Sequence, residues 1–175
     1  VHTFNHLLVG GGLQNGLIAW LLLKRDPEAR VALIEAGDCL GGNHTWSYHA
    51  SDVPESHAWE LRPLAQYSWD TYQVHFPRFI RELHLGYRSL HSSHLNRLLL
   101  HQFQRSPQAR LILSTRATEV RSDRVVLETG EVLHGRTVID ARGPVLDDTP
   151  RAATGYQKFV GLELRLGAPG RARVP

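Results

Sequence analysis

A chain of 175 residues with 42% apolar content is long enough for one domain that buries a sizeable core. Its net charge is only +3, and of its 20 lysines and arginines only Lys24 and Lys158 are lysines; with no basic run interleaved with aromatics, a nucleic-acid partner is excluded. The single cysteine, Cys39, excludes an internal disulfide framework and fits a reducing compartment, while the longest apolar run, Leu17 to Leu23, falls far short of the ~20 residues that span a bilayer. No basic segment opens the chain, so no secretory leader is read, and any membrane contact is expected to be peripheral.

In chain order, Leu7 to Val9 is continuously apolar and predicts a central parallel strand. It runs into Gly10-Gly11-Gly12-Leu13-Gln14-Asn15-Gly16, a glycine turn, and then a helix over Leu13 to Leu23 that Asp26-Pro27 ends. A glycine turn of this kind lets backbone approach a pyrophosphate, and the helix N-terminus offers free N–H groups. The pattern G-x-G-x-x-G is met at Gly10 and Gly12, whereas the third position holds Asn15, which by itself should loosen helix–strand packing. Val31 to Ile34 predicts a second buried strand ending in Glu35, where an acidic residue takes ribose hydroxyls. A carboxylate there favours a ribose with a free 2′-hydroxyl, hence FAD or NAD over NADP.

A loop over 36–45 follows. Glu55 to Trp69 reads as an amphipathic helix, and Tyr72 to Phe76 as a strand stopped by Pro77. Leu83 to Leu90 reads as a further strand. Ser92 or Ser93 is expected to cap a helix to about Gln104. Short strands are expected over 111–113, 117–121, 124–128 and 131–134, with a hairpin turn at Thr129-Gly130, then a buried strand over 137–140 and one more over 158–166. Gly167 to Pro175 has no periodicity and reads as a disordered or out-of-frame tail.

Eleven histidines raise a metal site, with His91 and His94 on one helix face and His101 two turns on, yet no cysteine pair or H-E-x-x-H accompanies them, and no metal is expected. No G-x-S-x-G elbow is present, which argues against acyl transfer. Trp46, Trp59 and Trp69 are expected in the core.

Three further segments, GGNHTW at 41–46, YQVHFP at 72–77 and VIDARG at 138–143, stand in order with VGGGLQNGLIAW upstream. With these the chain, from about Phe4 to Leu166, closely resembles the bacterial lycopene β-cyclases of carotenoid pathways, in which the third glycine position also reads as asparagine. The resemblance implies an α/β fold: a Rossmann-like FAD-binding domain of the glutathione-reductase and aromatic-hydroxylase type, with part of a mixed-sheet substrate domain. It divides the chain into a first FAD-binding segment (1–50), a substrate-side segment (51–92), a second FAD-binding segment (93–150), the start of a substrate-domain strand (151–166) and the tail (167–175).

By matching motif, the resemblance implies that Gly10, Gly11, Gly12, Leu13 and Asn15 line the phosphate turn and that Glu35 holds the adenosine ribose. Gly42 and Asn43 would lie on the flavin side of the cleft, Val120 would meet adenine through its backbone, and Gly143 would close a strand beside the cofactor. The implied chemistry is cyclisation without net redox change. A carboxylic acid protonates the terminal double bond of lycopene, and a neighbouring double bond attacks the cation. Proton loss then leaves a β-ring, giving β-carotene through γ-carotene. Reduced FAD stabilises the cation, and NADPH keeps it reduced. The implied setting is cytoplasmic, at the inner face of the membrane, beside other carotenoid enzymes.

The family's acidic motif is expected beyond residue 175. None of Asp123, Glu128, Glu131, Asp140, Asp147 and Asp148 stands in its context, so no catalytic residue is assigned. The chain is accordingly expected to be a truncated, inactive N-terminal portion. Two alternatives remain: another FAD-dependent oxidoreductase or mutase of the same fold, and a non-catalytic nucleotide-binding remnant.

Overall fold

In the computed structural model, residues 3–143 are described; the expected strand over 158–166 and the tail lie outside them. The chain opens with β1 (Thr3–Val9), α1 (Leu13–Arg25) and β2 (Val31–Ile34). β1 and β2 pair in parallel, so the connection through α1 is the crossover unit that such pairing requires. β3 (Thr45–His49), α2 (Glu55–Leu61), β4 (Tyr67–Trp69), β5 (Tyr72–Phe76), β6 (Phe79–Leu83) and β7 (Tyr87–His91) follow. The chain then forms α3 (Ser92–Gln104), β8 (Arg110–Ile112), β9 (Ala117–Val120), β10 (Arg124–Leu127) and β11 (Val132–Asp140).

Six strands make the main sheet in the order β8-β2-β1-β11-β10-β9. Four of them, β8, β2, β1 and β11, are parallel, and β10 and β9 extend the sheet as antiparallel neighbours. Alternation along β1 explains why the sheet is covered on both faces. Leu8, with Val31 and Leu33, points into one core with Ala19, Leu23, Leu95 and Leu99 from α1 and α3. Leu7 and Val9 point into a second core with Ile34, Val125, Leu127 and Leu133. A strand buried on both faces reads as a continuous apolar run, which is why β1 and β2 were legible in sequence.

Three expectations are corrected. Glu55 to Trp69 is not one helix. Pro63 stands in a short 3-10 turn after α2, where its ring and missing N–H prevent continuation, and Tyr67–Trp69 pairs with β7 instead. Leu83 to Leu90 is likewise split. Leu83 ends β6, and at Gly86 the chain passes so close to Ala50 that a Cβ would sit 2.9 Å from its side chain. Conversely, the two short strands expected over 131–134 and 137–140 are one strand, β11. Gly135 does not break it; the residue leaves room for Leu7 of β1, whose Cγ would lie 2.6 Å from an added Cβ.

A second sheet, β3-β7-β4, begins at Thr45, inside the segment expected to belong to the FAD-binding part. One of its faces packs Trp46, Tyr48 and Leu90 on the α1–α3 core. Trp59 and Trp69 are not core residues: they are 64% and 47% exposed, and the buried tryptophan is Trp20. Trp20 donates its indole N–H to the Glu60 carbonyl (2.9 Å), and Lys24 lies over the Trp59 ring.

Beside it, Arg25 forks onto the buried Glu60 carboxylate at 2.7 Å through both Nε and Nη2, tying the end of α1 to α2. This guanidinium, helped by His57, holds the Glu60 carboxyl down to about 2. A lowered pKa means the pair stabilises the fold fully above the ordinary 4.5 and loses that contribution as pH falls toward about 2. The difference in melting temperature between the native chain and Glu60→Gln is therefore expected to be largest at neutral pH and to close over that window, as followed by circular dichroism.

Candidate functional site

The C-terminal ends of β1 and β2, with the loops that follow them, enclose a cavity of about 640 Å³. Its floor is Val9 to Leu13, and one wall is Ile34 to Cys39. Gly41, Gly42, His44 and Trp46 form a second wall, and Thr115 to Ala117 with Ala141 and Arg142 close the far side. This is the crevice at the strand ends where ligands bind in open α/β sheets.

The floor is built by close backbone crossings. Gly10 donates its N–H to Ile34 O (2.8 Å), Ala141 donates to Val9 O (2.8 Å), and Gly41 donates to Gly11 O (2.8 Å). Gly10 adopts φ +94°, and a Cβ there would meet the Ala141 carbonyl at 2.8 Å. Gly12 is the N-cap of α1, with no side-chain cap and no acidic residue in the first turn; a Cβ on it would point into open space. Among the described residues, the first-turn N–H groups therefore have no side-chain acceptor, and the positive end of the helix dipole faces the cavity with only the Glu35 carboxylate, held on Gly11, beside it.

Glu35 is held from two sides. Its Oε2 accepts the Gly11 N–H at 2.6 Å and its Oε1 accepts the Gly37 N–H at 2.7 Å. Both oxygens keep a further lone pair, so the carboxylate is oriented and can still accept hydroxyl donors.

Asn15 does not loosen the packing. It is fully buried, and its amide donates to Val9 O and Gly10 O, both at 2.9 Å, so it braces the end of β1, sharing the Val9 carbonyl with the Ala141 N–H. Its Oδ1 has no hydrogen-bond partner among the described residues. The close-packing role moves one residue on, to Gly16, where a Cβ would touch Leu95 and Leu99 of α3 at 3.2 Å.

The loop over 36–45 is stapled to α3. Leu40 donates to Asn96 Oδ1 (2.9 Å), and Ser92 donates its N–H to His44 O (2.8 Å). Ser92 is not the N-cap of α3, which is His91; its hydroxyl instead accepts from the His44 N–H at 3.4 Å, because it faces the loop rather than its own helix. His94, one of the histidines that raised the question of a metal, bonds Pro63 O through Nε2. Among the described residues no cluster of three metal-ligating side chains occurs.

Gly10, Gly11, Gly12, Leu13, Glu35 and Gly42 thus meet around one cavity, with Asn15 directly beneath. Asn43 is exposed and outside the wall, as is Gly143, which follows the last lining residue. Val120 also lies outside. β9 approaches the cavity with Ala117 and carries Val120 away into the second core, pairing it with Val125. Thr115 and Arg116 were missed because nothing local marks them: they reach the site because Ser114 N–H bonds Gly37 O (2.8 Å) and Thr115 N–H bonds Glu35 O (3.1 Å) across from the end of β2. Arg142 forks onto Asp140 at 2.7 and 2.9 Å and holds that carboxyl below its ordinary range. Asp38 beside Cys39 pushes its thiol up, away from the thiolate that nucleophilic chemistry requires.

A family model described as lycopene cyclase protein matches residues 6–171. The chain belongs to this family. It is 44% identical over 170 residues to the lycopene beta-cyclase of Pseudescherichia vulneris, covering 97% of this chain and 42% of that relative. It is 41% identical over 167 residues to the lycopene beta-cyclase of Pantoea ananas, covering 95% and 42%. The lycopene beta-cyclase of Paracoccus sp. (strain N81106 / MBIC 01143) is 31% identical over the same shares. The chain therefore spans about 42% of the length of these relatives.

Among solved structures, PqsL of Pseudomonas aeruginosa, described as a probable FAD-dependent monooxygenase, superposes with a TM-score of 0.61 at 19% identity, over 78% of this chain and 42% of that one. p-Nitrophenol 4-monooxygenase PnpA of Pseudomonas putida DLL-E4 follows at 0.57 and 14%, over 79% and 40%. At such identities the likeness concerns the fold, which is the α/β arrangement of FAD-dependent monooxygenases with its parallel sheet.

Proposed function

We propose that this lycopene cyclase family chain forms the FAD-binding half-site of a lycopene β-cyclase. The observation that carries the reading is the cavity over the uncapped N-terminus of α1, with Glu35 oriented beside it. The residues fit the cofactor in kind: first-turn N–H groups suit a pyrophosphate, and an acceptor-only carboxylate at the end of β2 suits ribose hydroxyls. Gly10 and Gly12 keep side chains out of the approach, and the backbone of Thr115 to Ala117 lies across the cavity from the helix.

Bound in reduced, anionic form, with NADPH as reductant, the flavin would supply negative charge beside the substrate cation in a dry site, where such charge is worth most. On the chain's own side, a second cavity of about 490 Å³ adjoins the first, with Leu13 and Trp46 in the walls of both; Leu17, Tyr48, Leu64 and Leu90 make it apolar. An apolar polyene end group suits that lining.

A general acid for protonating an alkene needs a raised pKa. Among the described residues every resolved carboxyl displacement, at Glu60, Glu119, Glu131 and Asp140, is downward, each beside an arginine. None of these four carboxyls is therefore offered as the proton donor; the resemblance to the family is what puts that acid in the part of the relatives' length that this chain does not span. The test is to purify the 175 residues with FAD and then offer lycopene anaerobically with NADPH. Co-eluting flavin without ring formation is expected. A folded chain that retains no flavin would sink the half-site reading, and ring formation would sink the assignment of the acid elsewhere.

A further inference from the structure

Pro63 ends the helical stretch after α2, and Tyr67–Trp69 is then free to pair with β7. That break leaves α2 and β4 as separate walls, and a third cavity of about 550 Å³ lies between them. Ala58, Trp59 and Leu61 of α2 line one side, and Ser68 of β4 and Arg88 of β7 line the other. Both walls are anchored. Glu60 ties α2 to α1 through Arg25 and the Trp20 indole, and Ala50 donates its N–H to Gly86 O (2.6 Å), which fixes the corner after β3.

The third cavity is continuous with the second. Tyr48, Val53 and Leu61 stand in the walls of both. Leu13 and Trp46 stand in the walls of the second and the first, whereas the first and third share no lining residue. The three cavities therefore form a row with the apolar one in the middle. Tyr48 marks the junction of the second and third. It is half-buried, and burial pushes its phenol up even with Arg88 nearby, so it presents a neutral ring. The acid in the lining of the second cavity, Asp52, accepts the His49 N–H through Oδ2 (2.8 Å). The third cavity has no acid among its described lining residues. Its Arg88 donates from Nη1 to the carbonyls of Trp69 (3.0 Å) and Tyr87 (3.1 Å), which leaves the aliphatic stem for apolar contact.

We infer that this row is the path of a long linear polyene, with the end group in the second cavity and the rest of the chain running past Tyr48 and through the third, out beside Trp59. The inference rests on the reading that the apolar cavity takes the end group. Size carries it further. A cavity of about 490 Å³ encloses a compact ligand, so a long chain with one end inside must leave by an opening. The first cavity is the one the flavin would fill. Among the described residues the third cavity is the other way out, and its lining suits an uncharged chain: small side chains at Ala58 and Ser68 leave width, and the exposed Trp59 ring offers apolar area at the mouth.

The test compares a long and a short ligand on the full 175-residue chain. Lycopene, delivered from detergent micelles, is titrated by quenching of tryptophan fluorescence. Pseudoionone, which carries the acyclic end group without the long chain, is titrated by calorimetry. Ala58→Phe and Ser68→Phe narrow the third cavity from opposite walls, and either serves should the other fold poorly. Each is expected to weaken lycopene binding by about tenfold or more and to leave pseudoionone within about twofold. Melting curves should be unchanged, because both side chains are exposed. Lycopene that binds the native chain no tighter than pseudoionone, or that neither variant weakens, overturns the path alone. Equal weakening of both ligands also overturns it, since the third cavity would then have no separate role. A native chain that fails to bind pseudoionone overturns the end-group reading and the path with it. Flavin retention is read separately by absorbance on the same samples, so loss of the half-site reading leaves these comparisons in force.

Discussion

Glu35→Ala is expected to weaken FAD binding by roughly ten- to a hundredfold, the equivalent of about 1.5–3 kcal/mol for hydrogen bonds to a charged group. Two effects combine. The carboxylate that would accept ribose hydroxyls is lost, and the Gly11 and Gly37 N–H groups, which it now satisfies at 2.6 and 2.7 Å, lose their acceptor. Gly11 has no room to compensate by moving inward, because the Leu40 side chain already fills the place where a Cβ would be. Glu35→Gln should fall between the two, since an amide oxygen can still accept from one of these N–H groups. Titration of flavin fluorescence on the three chains measures the effect. Equal affinities would show that Glu35 shapes the loop over 36–45 without touching the ligand.

Gly10→Ala is expected to destabilise the fold by about 3 kcal/mol, combining backbone strain of about 1–3 kcal/mol with overpacking of similar size. For a domain of this length that corresponds to a fall of about 6–12 °C in melting temperature. The strain comes from φ +94°, and the overpacking from a methyl group forced to within 2.8–2.9 Å of the Ala141 backbone and Arg142 Cα. None of those atoms can rotate away, unlike the end of a side chain. Gly130→Ala separates the two contributions. That residue also has positive φ (+86°), at the turn between β10 and β11, yet a Cβ there meets nothing within 4 Å, so only the strain remains. If thermal unfolding showed the two variants equally destabilised, the close crossing of β1 with the segment after β11 would have no energetic weight.

The two differ in what they threaten. Gly10 sits where β1, β2 and the chain after β11 converge, so its substitution moves the floor of the cavity as well as the stability of the sheet. Glu35 is half-buried and held by backbone donors alone, so its loss should register in ligand affinity more than in melting temperature.

The sequence by itself determined the strand–turn–helix–strand unit and its acid. β1 and β2 are continuously apolar because both their faces are covered, and Gly10 to Gly12 with Glu35 form a local pattern whose geometry follows from the backbone. The motifs GGNHTW and VIDARG marked the two loops that close the cavity, and family membership was legible from the same residues. Tertiary structure decided whatever depended on partners distant in the chain. Asn15 reads as a flaw in a glycine motif until its amide is seen holding the carbonyls of Val9 and Gly10. Tyr67 to Trp69 has helical spacing with the preceding residues, but Pro63 frees it to pair with β7, and that pairing exposes Trp69. Gly135 reads as a break, yet it is the place where β11 makes room for Leu7. In each case local propensity is worth a few tenths to one kcal/mol per residue, less than the hydrogen bonds and buried contacts that only the assembled sheet supplies.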